Sequence, residues 1–135
     1  MRLLGRKNIF LKTQGREQFS KSVGHALDGI EYAINNERNI KIEILMGIIA
    51  SITGFILKIS LLEWLVLVLL IGTILALELI NTSIERSVDL VTKDYKELAK
   101  AAKDTAAGAV FIMSTFSIII GIIIFLPKIL ILLKR

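Results

Sequence analysis

The stretch from Ala106 to Leu126 reads AAGAVFIMSTFSIIIGIIIFL, 21 residues without one charged side chain. Wound as an α-helix at about 1.5 Å per residue, it is long enough to cross a hydrocarbon core of roughly 30 Å. Pro127 and Lys128 follow it and mark an expected end at an interface. Toward the N-terminus a second apolar run starts at Trp64 and continues LVLVLLIGTILAL to Leu77, where Glu78 interrupts it and helical spacing persists beyond. A third, Ile44 to Leu57, is 14 residues between Glu43 and Lys58. With Ile40, Ile42 and Ile59 to Leu62 added, and Lys58 able to snorkel, it also reaches spanning length. The connection from Lys58 to Glu63 is short, so these two spans form an antiparallel hairpin. A soluble helical bundle with an apolar core is the alternative, and the length criterion disfavours it.

Composition points the same way. Of 135 residues 54% are hydrophobic but only 7% aromatic, with a single proline, and the mean hydropathy is +0.70. That excludes a disordered chain and disfavours an ordinary water-soluble domain. The absence of cysteine excludes disulfides, zinc fingers, thiolate clusters and cysteine nucleophiles. His25 is the only histidine, so no multi-histidine metal site exists. The net charge of +5 beside long apolar runs favours anionic headgroups and phosphorylated ligands over nucleic acid as partners. Eight Lys or Arg precede the first span, one lies in the short connection, five fall between Arg86 and Lys103, and three trail the last span. This distribution places the N-terminus and the second loop on the cytoplasmic side; the three terminal charges oppose it weakly. The opening MRLLGRKNIFLKTQGR has neither the apolar run nor the cleavage site of a signal peptide.

Ahead of the first span, Phe19, Val23, Leu27, Ile30 and Ile34 recur at helical steps with Lys21, Asp28 and Glu31 between them. They form an amphipathic helix suited to the inner headgroup layer or to a surface of the protein's own spans. Asp94 to Asp104, DYKELAKAAKD, reads as polar helix running into the last span. The expected fold is therefore all-α and integral to the membrane. It is a single domain over residues 1–135, with a surface helix at about 19–36 and spans at about 40–58, 62–84 and 105–126.

The chemistry lies in ELINTSIERSVDL, Glu78 to Leu90. At about 100° per residue, Glu78, Asn81, Glu85 and Asp89 project at about 0°, 300°, 340° and 20°, one stripe of a helix. Ionisable groups at membrane depth are costly and face a bundle interior or a wet cavity, which makes this stripe a candidate site. For Arg86 and Asp89 a solvated helix end explains the charges equally well. It does not explain Glu78, which follows a full apolar span. A carboxylate partly removed from water is suited to take a proton from an alcohol near neutral pH. A second one nearer water, Glu85, suits Mg²⁺, which takes oxygen ligands and usually brings phosphate with it. Lys103 and Asp104 stand at the entrance of the last span, level with Glu85 if both helices meet the inner interface, and Glu37 reaches that level from the other side. The set points to phosphoryl transfer onto a lipid hydroxyl. Neither a G-x-x-x-x-G-K-[ST] loop nor a protein-kinase glycine loop is present.

ELINTSIERSVD at 78–89, AKDTAAGAV at 102–110 and NNERNIK at 35–41 together resemble the prokaryotic diacylglycerol kinase / undecaprenol kinase family, from about Ser20 to Pro127. The resemblance implies a small kinase of three spans and an N-terminal amphipathic helix, in the bacterial cytoplasmic membrane, working as a homotrimer with shared active sites. Glu78 would be the general base, supported by Asn81. Glu37 and Glu85 would coordinate Mg²⁺ with the phosphates of ATP. Lys103 and Asp104 would contact the nucleotide, with Asp94, Tyr95 and Lys96 near its base and ribose and His25 approaching it from the N-terminal helix. A basic position that some members carry before this histidine falls on Gln18 here, with Arg16 and Lys21 nearby. NERNIK and the tail IIIFLPKI look more like the Gram-positive members that favour undecaprenol, with diacylglycerol as the alternative. A small transporter would also place Glu78 in a span but does not account for Glu37 or the Lys103–Asp104 pair, whereas a non-catalytic assembly subunit would explain the spans and tolerate substitution of Glu78, Asn81 and Glu85.

Overall fold

The structure is a computed structural model that describes the backbone of residues 2–134 and side chains from residue 18 to 134; the side chain of Arg16 lies outside these. Among the described residues everything regular is helix: α1 (Arg2–Asn36), α2 (Arg38–Ile56), α3 (Leu61–Val91) and α4 (Glu97–Leu133). Two units make up the chain, residues 1–36 and 37–135. The first is α1, whose stripe of Phe19, Val23, Leu27 and Ile30 is exposed. In the second, α3 packs against both α2 and α4. All three of these helices are long and apolar enough to cross a membrane, and the protein is an all-α integral-membrane protein.

The α2–α3 corner is built from local rules. Lys58 adopts a left-handed backbone (φ 50°). Its N–H donates to Phe55 O at 3.3 Å, and Ile59 N–H donates to Gly54 O at 3.1 Å. This paired closure satisfies the last carbonyls of α2. Ser60 then opens α3: its Oγ accepts from Glu63 N–H at 3.4 Å while its own N–H donates to Glu63 Oε2 at 2.6 Å. Glu63 Oε1 meets Lys128 Nζ at 3.0 Å, so one carboxylate caps α3 and ties it to α4. Gly54 permits the corner to close. A Cβ there would lie 2.9 Å from Ile59 Cδ1 and 3.3 Å from the Trp64 ring. Trp64 is therefore half-buried against α2.

Ile59, Leu67 and Ile124 form the buried apolar cluster, with Trp64, Ile71, Ile120 and Phe125 packed on it. The buried side chains further along α3 are of another kind: Glu78, Asn81 and Thr82. The unit thus has an apolar half near the hairpin corner and a polar half at the opposite end.

Two expectations change. Pro127 does not end the last helix, which runs through it to Leu133. A proline forfeits one backbone bond, and the apolar ILILL that follows keeps the backbone helical. Asp94, Tyr95 and Lys96 are not helical; they lie in the connection between α3 and α4. Thr92 is extended (φ −155°, ψ 139°), and its Oγ1 accepts from Asp94 N–H at 3.1 Å. That side-chain turn competes with the helix over just these residues.

Candidate functional site

The site begins with burial. Glu78 is 2% exposed and Asn81 6%; Glu85 is half-buried and Asp89 exposed, so the stripe grades from the interior to solvent along about three turns. Glu78 lies close enough to three other carboxylates, Glu37, Glu43 and Glu85, to interact electrostatically with each. The Asn39 side chain hydrogen-bonds Glu78. Asn81 Nδ2 donates to Glu85 Oε1 at 3.2 Å, an i,i+4 pair that fixes both side chains on one face.

Glu37 is the single extended residue (φ −108°, ψ 133°) between α1 and α2, and its side chain does not cap α2. Instead Glu37 Oε1 accepts from Arg86 Nη2 at 2.5 Å, bringing the first residue of the unit onto α3. Lys103 reaches α3 as well: its Nζ donates to Asp89 Oδ1 at 2.5 Å, one turn beyond Glu85. Asp104 pairs with Lys100 on its own helix. Asp94, Tyr95 and Lys96 are exposed in the connection. His25, in the first unit, faces Asp28 at 3.9 Å, with 84% of its side chain exposed. Glu37, Glu78, Asn81 and Glu85 are thus assembled together, and Lys103 joins them through Asp89.

Sequence reading missed Asn39 and Glu43. They sit four residues apart on one face of α2, and both line a cavity of about 450 Å³ with Met46, Ile74, Ser117 and Phe125. The signal was present as an i,i+4 polar pair facing a later glutamate, but Glu43 at the edge of an apolar run reads equally well as the end of a span.

Two buried oxygens, Glu43 Oε2 and Asn81 Oδ1, have no hydrogen-bond partner among the described residues. Buried acceptors of this kind are costly unless a donor, water or cation completes them. No group of three or more acidic, histidine or cysteine side chains among the described residues is arranged to hold a metal by itself. Magnesium is ordinarily held by one or two carboxylates plus substrate phosphates rather than by an all-protein cage. The oxygen-only donor set of Glu37 and Glu85 fits that mode.

Comparison with known proteins places this arrangement. The family model described as prokaryotic diacylglycerol kinase matches residues 24–125, which takes in every residue of the stripe and its partners. An undecaprenol kinase from Bacillus subtilis is 47% identical over 82% of this chain and 90% of its own length. A diacylglycerol kinase from Synechocystis is 37% identical over 81% of this chain and 63% of its own length. The diacylglycerol kinase of Escherichia coli is 26% identical over 79% and 88%. With its spanning helices and matched carboxylate stripe, the chain belongs to the prokaryotic diacylglycerol kinase family and is a membrane lipid kinase.

Proposed function

We propose that the protein phosphorylates undecaprenol, taking the γ-phosphoryl group from ATP, at the cytoplasmic face of the bacterial membrane and as a homotrimer. The observation that carries the chemistry is Glu78, a buried carboxylate in a spanning helix, hydrogen-bonded by Asn39 and flanked by Glu37 and Glu85. Glu78 accepts the hydroxyl proton of the lipid as the hydroxyl oxygen bonds to the γ-phosphorus. The bond from that phosphorus to the β–γ bridging oxygen breaks, ADP leaves, and the proton passes from Glu78 to water. Glu37 and Glu85 are the residues that would hold Mg²⁺, which when bound offsets charge on the phosphates. Asn81 keeps Glu85 aimed along the stripe. Lys103, together with Asp104, Asp94, Tyr95 and Lys96 near the α3–α4 connection, contacts the nucleotide, and His25 approaches it. Apolar residues left open along α4, such as Phe111, Ile118 and Ile122, suit lipid or neighbouring subunits, and three helices alone offer little wall around ATP and a lipid head.

Undecaprenol is favoured by the 47% identity to the Bacillus subtilis enzyme. Diacylglycerol is the second reading, because the Synechocystis and Escherichia coli relatives carry that name. Purified full-length protein in mixed micelles, given radiolabelled ATP with undecaprenol or dioleoylglycerol, should label the prenol preferentially. Preferential labelling of the glyceride replaces the substrate, and labelling of neither lipid overturns the proposal.

A further inference from the structure

Arg86 takes no part in the transfer step above, yet it makes the contact that brings Glu37 to α3. Its Nη2 lies 2.5 Å from Glu37 Oε1, joining positions 49 residues apart. The pair is open to solvent, with side-chain exposures of 49% and 22%, so it can exchange partners without unpacking the helices. Close by the charge is acidic, since Glu78 on α3 interacts electrostatically with Glu37, Glu43 and Glu85 in turn. A cation on Glu37 relieves that repulsion. In this structure the guanidinium fills that role.

Resting on the reading that a nucleoside triphosphate and a divalent cation bind beside Glu78, we infer that Arg86 is a nucleotide-contacting residue stored on Glu37. When the charged nucleotide arrives, Glu37 exchanges the guanidinium for the divalent cation, and Arg86 transfers to the phosphate oxygens. A planar guanidinium matches phosphate geometry as well as it matches carboxylate. Two oxygens bound to one magnesium lie at most about 4 Å apart, so a side-chain movement is enough. The exchange keeps the local charge nearly balanced in both states.

Such a stored cation competes with free metal for Glu37 and assists the nucleotide, so its removal changes the two affinities in opposite directions. A residue that merely pinned α2 to α3 would weaken both. The test uses full-length protein in detergent micelles. Binding of Mn²⁺ without nucleotide is followed by the electron paramagnetic resonance of the free ion, and the KM for ATP is measured in lipid phosphorylation at saturating Mg²⁺. For Arg86→Ala we expect a KM about tenfold higher or more, as for a lost hydrogen bond to a charged group, together with tighter Mn²⁺ binding. For Arg86→Lys, which keeps the charge without the fork, the KM should rise less and Mn²⁺ binding should stay near wild type. Unchanged constants, or weakening of both, overturn the inference. If circular dichroism shows Arg86→Ala to be unfolded, Arg86→Gln is compared in its place and decides by the same criteria. Wild-type protein that labels no lipid would instead defeat the proposed function, whereas active wild type without the opposed shifts defeats this inference alone.

Discussion

Glu78 stands where α3 changes from uniformly apolar to polar, and each of its neighbours defines what a substitution should do. Glu78→Gln keeps the shape and the hydrogen-bonding capacity but removes the proton acceptor. Turnover should fall by roughly 10²–10⁴-fold, the usual contribution of a positioned acid or base, while equilibrium binding of ATP with Mg²⁺ stays close to wild type; retention of normal turnover would remove Glu78 from the base role. Asn39 acts through Glu78, to which it hydrogen-bonds. Asn39→Ala should lower kcat by about tenfold, the scale of one hydrogen bond to a charged group, and leave the KM for ATP unchanged, since Asn39 bonds the proposed base and is not among the residues proposed to contact the nucleotide. Steady-state kinetics with both substrates varied separates the two effects.

At the scale of elements, the α2–α3 corner carries a clear structural constraint. Gly54 is overlaid by Ile59 and Trp64 so closely that even a methyl group meets Ile59 at 2.9 Å. Gly54→Val should destabilise the protein by about 1–3 kcal/mol, the cost typical of overpacking, read as a lower midpoint of thermal unfolding in detergent. The spans were legible in the sequence because an uncharged run of 21 residues such as 106–126 matches the thickness of a bilayer and has no polar face to turn toward water. The stripe from Glu78 to Asp89 was legible because helical geometry fixes directions once the helix is granted. The connection at 92–96 was not, because Lys93, Asp94, Tyr95 and Lys96 are acceptable in a helix and only the turn made by Thr92 removes them from one. The ion pairs of Arg86 with Glu37 and Lys103 with Asp89 were illegible for a different reason. They join residues 49 and 14 positions apart, and no local pattern encodes which helix faces which. Asn39 and Glu43 fall between these cases, with regular spacing on α2 but a role that depends on the facing helix.

For the molecule as a whole, topology can be tested cleanly because the chain contains no cysteine. The distribution of basic residues predicts the Lys58 corner outside and the Lys93 connection inside. Lys58→Cys in intact cells should react with a membrane-impermeant maleimide, and Lys93→Cys should react only after the cells are opened; the reverse pattern would invert the protein and its site. The fourth helix adds a mechanical corollary. It runs unbroken for 37 residues, about 55 Å at the usual rise, so Lys103 and the midplane of the membrane belong to one stiff rod. Lys103 stands about 18 Å from Thr115 along that rod, and a tilt of about 10° would carry its ammonium some 3 Å, enough to part it from Asp89. Helices tilt to match the thickness of the surrounding lipid. Acyl-chain length should therefore act as a throttle: in vesicles of systematically longer or shorter phosphatidylcholines, the rate should pass through a maximum at one thickness, with lipid itself setting how firmly Lys103 is seated on Asp89.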